Sequence, residues 1–326
     1  MAVITDTRPV EPARSGPETK PKSGPKPVLA EPRDVGRQSL VYLFLLVPMA
    51  ALAAAVPFAW TTGLLSWTDI GLTVAFYVLT LHGVTVGYHR LFTHGSFRPN
   101  RPLKITMAIL GSMSVQGPLI GWVADHRRHH AFSDKEGDPH SPWLYGTSVL
   151  ALTKGFWHSH VGWMFQRANI SNEERFTPDL LKDPDLVKIN KLFWLWTILT
   201  FLLPALIGGL ITMSLTGALT ALFWAGLVRV SALHHATWST NSICHMIGER
   251  PFKSRDKAAN FWPLAILSGG ESWHNSHHAD QSCARHGVKR GQIDTSARII
   301  RGFEKAGWAT HVKWPTPERL AKLAQE

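Results

Sequence analysis

Nine histidines stand in four short clusters whose spacing suits metal binding. His89 and His94 open and close HRLFTH, and His126, His129 and His130 form HRRHH. Asn241 and His245 bound NSICH, and His274, His277 and His278 form HNSHH. On a helix, residues i, i+3 and i+4 share one face, so each HxxHH aims three imidazoles in one direction. Asn241 and His245 repeat the i, i+4 relation. His89 and His94 are five apart, about 140° around an ideal α-helix, so they would more easily serve different ions than one. Nine imidazoles exceed what one ion accepts, so the count predicts two.

A single HxxHH could be a solvated basic helix face. Two of them, with HxxxxH and NSICH beside them, make a shared metal centre the better reading. Imidazole suits Zn, Fe, Cu or Ni, so donor type alone leaves the metal open. Zinc has no redox chemistry, and a structural zinc site closes with four ligands. Nine donors near a membrane suggest a dinuclear redox centre instead. Carboxylates should orient the rings, and Asp125, Asp138 and Glu271 are the candidates. His82, His140, His158, His160, His234, His235, His286 and His311 are expected in hydrogen-bonded structural roles.

The elements that must position these groups are apolar helices. Of 326 residues, 45% are hydrophobic and only 17% charged, low for a soluble domain. Residues 40–60 contain no charge, 69–88 carry only Asp69 at the edge, and 192–228 again contain none. A span needs about 20 apolar residues, so the last run is long enough for two, folded at Ser214 to Gly217. The expectation is an all-α integral membrane protein with spans near 40–60, 69–88, 192–212 and 216–236, arranged as two hairpins. A cap of 89–191 and 238–310 would carry the dimetal site, within a domain of 39–310. Residues 1–38, with seven Pro and mixed charge, read as a disordered tail, and 311–326 as a C-terminal tail. The apolar segment 103–123 holds Gln116, Gly117 and Pro118, and reads as a helix lying in the membrane surface or packed beneath the bundle.

The net charge of +11 is uneven. Lys and Arg crowd the tail, the 89–191 segment and everything after 229, while the connectors at 61–68 and 214–217 have none. The positive-inside tendency then puts both termini and all four clusters in the cytoplasm. That explains the charge without nucleic acid as a partner. No cleavable signal peptide is evident. Cys244 and Cys283 are too far apart in sequence to form a metal motif by themselves.

Taken together, GYHRLFTHGSF, WVADHRRHHAFSDKEGDPHSP, FWHSHVGWMF, TWSTNSICH and GGESWHNSHH resemble the membrane fatty-acid desaturases, nearest the stearoyl-CoA (delta-9) desaturase-like group. The resemblance covers about residues 40–310. It implies two non-haem irons held by the nine histidines, with Asn241 binding through a water. It also implies O2 as co-substrate and a cis double bond made near the middle of a long acyl chain. The chain would bend in a closed tunnel, with Gln116, Trp122, Thr237 and Trp238 around the kink and Leu81 and Tyr77 near the closed end. An acyl thioester, acyl-CoA foremost, is the implied substrate, with carrier-protein and lipid carriers open. Ala124 and Gly117 stand where the animal acyl-CoA enzymes carry an Arg and an Asn that help hold CoA. With no fused haem domain and no nucleotide motif, electrons would come from a separate ferredoxin or flavoprotein reductase, in a bacterial plasma membrane. A di-iron hydroxylase of alkyl or acyl chains is the alternative. A metal transporter fits less well, since its ligands would sit near the bilayer midplane.

Overall fold

The computed structural model describes residues 26–325. Four helices are long and apolar enough to cross a membrane: Val35–Ala59, Trp67–Thr93, Phe193–Thr212 and Leu215–His245. Helix α1 (Val35–Thr62) starts where the Asp34 carboxylate accepts from the Arg37 amide at 2.8 Å. Helix α2 (Trp67–His82) starts at a capping box of Ser66 and Asp69. It continues without a break as a π-helical segment, Gly83–Thr93. Helix α8 (Phe193–Thr212) and α9 (Leu215–Ala221) pack against each other across a short link. In that link Met213 is left-handed and Ser214 caps α9. A second π-helical stretch, Leu222–Val228, joins α9 to α10 (Arg229–Ser242). Helix α1 packs on these last two elements.

The second and fourth spans run longer than the apolar pattern suggested, because they continue as helix into the histidines. At about 1.5 Å per residue they reach up to roughly 40 and 46 Å, past the roughly 30 Å hydrocarbon core. Their surplus turns carry His89 and His245 out to the remaining elements. Arg229 is buried in the fourth span, where its Nη2 donates to the Thr200 carbonyl at 3.0 Å and the Thr200 hydroxyl at 2.8 Å. That tie to α8 offsets part of the cost of a charge in a span, although Nη1 is left buried without a partner.

Between the two span pairs, α3 (Arg101–Ser112) packs on the first π segment, and α4 (Leu119–Phe132) carries HRRHH. Helix α5 (Val149–His160), the single turn α6 (Glu173–Phe176) and α7 (Pro184–Lys191) lead to α8. After the fourth span come α11 (His274–Ala279), the amphipathic α12 (Thr295–Lys305) and α13 (Pro317–Leu323). Two residue pairs, β1 (Arg98–Pro99) and β2 (Ala309–Thr310), form the antiparallel sheet. A core including Val86, Tyr88, Leu119, Ile120, Val123 and Ile300 ties the π segment, α4 and α12 together.

The N-terminal tail is shorter than its composition implied, and Thr316 and Pro317 open the short C-terminal helix that their types suggest. Residues 26–38 are ordered: Ala30 donates to the Ile170 carbonyl, Arg33 to that of Arg167, and α1 begins at Val35. Backbone pairing with 167–172 holds this stretch despite its proline content. The rest of that tail lies outside the described residues. At the other end α13 docks, with Arg319 paired to Asp280 and Lys253 donating to the Leu323 carbonyl.

Candidate metal centre

The four clusters converge on two adjacent groups. His89, His94, His126, His130 and His277 form one, and His129, His245, His274 and His278 the other, with donor atoms within 4.8 Å of one another in each. All except His94 are buried below a tenth of their surface. HRRHH splits between the groups: His126 and His130 face one way and His129 the other. HNSHH splits likewise, with His277 in the first group and His274 and His278 in the second.

Assigning His89 and His94 to different ions was wrong. The 140° offset holds for an α-helix, whereas Gly83–Thr93 winds with i to i+5 bonds. His94 N–H donates to the His89 carbonyl at 3.2 Å, and the two ring centroids are 4.8 Å apart. Wider turns stack residues five apart on one face.

Carboxylates fix the rings. Asp138 Oδ1 lies 3.0 Å from His129 Nδ1, Asp134 Oδ2 2.9 Å from His245 Nδ1, and Asp256 Oδ2 2.7 Å from His278 Nδ1. Glu271 Oε2 lies 2.6 Å from His89 Nδ1, but off the line of an ideal N–H bond. Arg90, wholly buried, holds Glu271 Oε1 at 3.0 Å and Asp294 Oδ1 at 3.0 Å. With the proton on Nδ1, each of these imidazoles turns an Nε2 lone pair inward.

The inward nitrogens then face one another. His277 Nε2 is 3.1 Å from His89 Nε2 and 3.0 Å from His130 Nε2. His274 Nε2 is 3.0 Å from His245 Nε2 and 3.1 Å from His278 Nε2. Nε2 of His94 and of His129 is buried without a partner. Facing lone pairs repel, and a cation between them removes both the repulsion and the unmet acceptors. The residues therefore fit two metal ions, and the neutral nitrogen donors suit a transition metal.

Electrostatics favour the same state. Burial first, and then mutual repulsion, hold the pKa values of His94, His126, His130, His274 and His277 well below the usual range. Burial lowers His278 to about 4 despite Asp256. Burial would raise Asp134, but the charge and hydrogen bond of His245 bring it down to about 2. Asp138 and Glu271 are likewise held below the carboxylate range: burial works against this, and His129, or His89 with Arg90, outweighs it.

Asp125, expected to orient a ring, does not. Its Oδ1 accepts from the Ser171 amide at 3.3 Å, because its side chain leaves α4 toward the 167–173 stretch. Asp134 and Asp256 do that work and went unread, since neither stands next to a histidine in sequence. His286 also went unread as part of the site. It lies 3.2 Å from Glu271 Oε2, and its ring centroid is 4.4 Å from that of His277. His82 is structural as expected, bonded to the Val78 carbonyl at 2.8 Å and Thr295 Oγ1 at 3.0 Å.

A cavity of about 810 Å³ runs up to the centre, lined by His89, His126, His274, Asn241, Thr85 and Ser268 among others. Gln116, Trp122, Thr237 and Trp238 line it too. Gln116 bridges two walls: its Nε2 donates to Thr237 Oγ1 at 2.9 Å, and its Oε1 accepts from Trp122 Nε1 at 3.3 Å. The turn presenting Gln116 has Val115 at φ 61° and Gly117 at φ 114°. A β-branched residue there is strained by about 1–3 kcal/mol. Tyr77 and Leu81 are not in the wall. Tyr77 donates to the Leu267 carbonyl at 2.7 Å, and Leu81 is buried beside Gly269. Thr85, one turn further along, takes the wall position, with its Oγ1 2.7 Å from that of Ser296.

Long apolar helices whose ends carry two histidine groups that could each hold a metal ion, with a cavity leading to them, fit a membrane enzyme. The chain matches the fatty acid desaturase family over residues 65–303 and belongs to that family. It is 38% identical over 280 residues to a hex-5-enoyl-[acyl-carrier protein] acetylenase of Moorena producens, covering 85% of this chain and 87% of that one. It is 35% identical over 290 residues to delta-9 acyl-lipid desaturase 1 of Arabidopsis thaliana, covering 88% of each. It is 34% identical over 258 residues to an sn-1 stearoyl-lipid 9-desaturase of Anabaena variabilis, covering 78% and 88%. The chain is thus an enzyme, an oxidoreductase of the desaturase type.

Proposed function

We propose that the enzyme introduces a cis double bond at the ninth position of a long saturated acyl chain, using O2 and two irons. The observation that carries this is the pair of converging histidine groups at the head of a cavity lined by Gln116, Trp122, Thr237 and Trp238. The positions named for the Arabidopsis and Anabaena relatives support the ninth carbon. Two irons held by the nine histidines would supply the oxidising power to take hydrogen from an unactivated methylene. Asn241, in the wall beside the four-histidine group, would complete that group through a water.

The protein's own part is position and exclusion. Gln116, Thr237 and Trp122 tie two walls of the cavity together, so that one pair of adjacent methylenes faces the histidines. The carboxylates hold the rings of His129, His245 and His278 in one tautomer. The balance is a CH2–CH2 pair, O2, two electrons and two protons giving CH=CH and two waters. O2 takes two electrons from the substrate and two from a separate donor.

A second cavity, of about 450 Å³, reaches His130 and His278; Lys135, Lys253, Arg255 and Arg319 outnumber Asp256 and Asp280 in its lining. Its basic rim suits an acidic one-electron donor such as a ferredoxin, or a flavoprotein reductase. The centre and both termini would face the cytoplasm of a bacterial plasma membrane.

The test is expression in a bacterial host with ferredoxin and reductase, beside His277→Ala, with double bonds located by mass spectrometry and iron counted per chain. New cis-9 monoenes from the unaltered protein alone support the proposal. Hydroxylated chains, or a centre without iron, overturn it.

A further inference from the structure

Between Lys257 and Glu271 the chain runs for thirteen residues without a charge, AANFWPLAILSGG. The two ends of this run are tied together. The Phe261 amide donates to the Ser272 carbonyl at 2.8 Å, and Asn260 and Trp273 form an antiparallel bridge. The stretch between them is a closed hook whose neck leads directly into His274. Glu271 lies beside His89, whereas Leu267 lies beside Tyr77, twelve residues nearer the start of the same span. The hook therefore runs back along α2, away from the histidines. Tyr77 Oη donates to the Leu267 carbonyl at 2.7 Å, and a Cβ on Gly269 would touch the Leu81 side chain at 3.5 Å.

That path sets its depth. The span begins at Trp67. At about 1.5 Å per residue, Tyr77 lies roughly 15 Å and Leu81 roughly 21 Å along it, within a hydrocarbon core of about 30 Å. The surface of the hook suits lipid. Trp262 is 74% exposed, Ile266 64% and Leu267 54%. Val74 and Val78, exposed on α2 to either side of Tyr77 in sequence, continue the same apolar surface. The backbone suits it too. The carbonyls of Phe261, Trp262, Leu264, Ala265 and Ile266 accept from amides inside the hook, and that of Leu267 accepts from Tyr77. In water those carbonyls could be left open, whereas in hydrocarbon each must be closed.

We propose that residues 261–270 form a re-entrant hook that dips into the leaflet on the histidine side of the membrane. Trp262, Ile266 and Leu267 stand among the acyl chains there, and the Tyr77 hydroxyl holds the tip at depth. The third histidine cluster is thus anchored in lipid through its own preceding loop, as well as through the spans. The proposal does not depend on which reaction the centre performs.

The test uses the full metal-loaded chain in phosphatidylcholine vesicles, with an environment-sensitive fluorophore on Ile266→Cys. Cys244 and Cys283 are buried, and any label taken up by the unaltered chain is subtracted. Lipids carrying a nitroxide at mid-chain should quench this label strongly. Iodide in water should quench it about tenfold less than the same label on Lys289→Cys, an exposed residue of the loop before α12. The label on Trp262→Cys should behave like that on Ile266→Cys, which guards against one misfolded variant, and metal per chain should match the unaltered protein in both. Adding Tyr77→Phe leaves the Leu267 carbonyl unmet, and should move the strongest quenching from mid-chain nitroxides to ones near the glycerol. Iodide quenching equal to that at Lys289 would put the hook in water. Shielding from both quenchers would put protein over it, such as a second copy of the chain. Either result overturns the proposal, and an unmoved label in Tyr77→Phe overturns the tie to α2.

Discussion

His89 and His94 share one metal group although they stand five residues apart, because the segment carrying them is π-helical. That winding depends on close approach by α3. A Cβ on Gly83 would lie 2.3 Å from the Leu110 carbonyl carbon, and one on Gly87 2.9 Å from the Met107 carbonyl oxygen. Gly83→Ala must push backbone against backbone, at a cost of about 1–3 kcal/mol or more. Thermal unfolding in detergent should show a lower midpoint, and iron per chain should fall with it. An unchanged midpoint would mean that α3 does not brace the π turn.

His277 sits between His89 and His130, with Nε2 near 3 Å from each. His277→Ala should bring turnover below detection while the protein stays in the membrane, and bound metal per chain should drop. His311→Ala should be almost silent, because His311 is exposed and bonds only its neighbour Thr310. Full turnover in the first variant would contradict the ligand assignment.

The spans and the histidine set were readable because both rest on local patterns: charge-free runs of span length, and i, i+3, i+4 spacing. How the ligands divide between the groups was not readable. It depends on the π winding of 83–93, for which the sequence gives no distinct signal beyond Gly83 and Gly87. Asp134 and Asp256 were missed for a related reason. They reach their rings across loops, from 111 residues before His245 and 22 before His278. Asp125, adjacent to His126, was picked for proximity in sequence, yet consecutive residues on a helix point about 100° apart.

Those carboxylates make a contrast that can be measured. Asp134→Asn, Asp138→Asn and Asp256→Asn each replace a charged acceptor on an imidazole N–H with a neutral one. Each should weaken metal binding by about 10- to 100-fold. Asp125→Asn should leave it unchanged, since Asp125 bonds Ser171 and not a ring. Metal retention against a graded chelator series would decide the matter, and equal losses in all four would remove the distinction.

Acid should destabilise the metal-free protein. His278 titrates at about 4 in the fold, against 6.5 for the free side chain. The unfolded chain therefore takes up this proton first, and unfolding binds protons between those values. Stability rises with pH across that window and is lost as pH falls from about 6.5 toward 4, by about 3 kcal/mol for this group. His94, His126, His130, His274 and His277 are shifted in the same direction. Asp134, lowered from 3.8 to about 2, adds a further loss in a lower window, as pH falls through its folded value. Unfolding midpoints of chelated protein at pH 7, 6 and 5 should decline steadily. A flat profile would show that the imidazoles are not held neutral.

One amide ties two walls of the cavity together. Gln116 donates to Thr237 on the fourth span and accepts from Trp122 on α4, so it sets the distance between two walls. Thr237→Val keeps the volume and removes the acceptor, leaving the Gln116 amine unpaired in a partly buried place. The unmet donor costs about 1–3 kcal/mol, enough to free the side chain and loosen the link between the two walls. Bound metal should be unaffected, because neither residue touches a histidine of the two groups. The acyl chain would then rest in more than one register, and monoenes should appear at positions beside the main one while total turnover falls less than tenfold. A single unshifted product would mean that the walls are held by Trp122 and Trp238 packing alone. Products redistributed with unchanged iron would assign the choice of carbon to this hydrogen-bonded bridge.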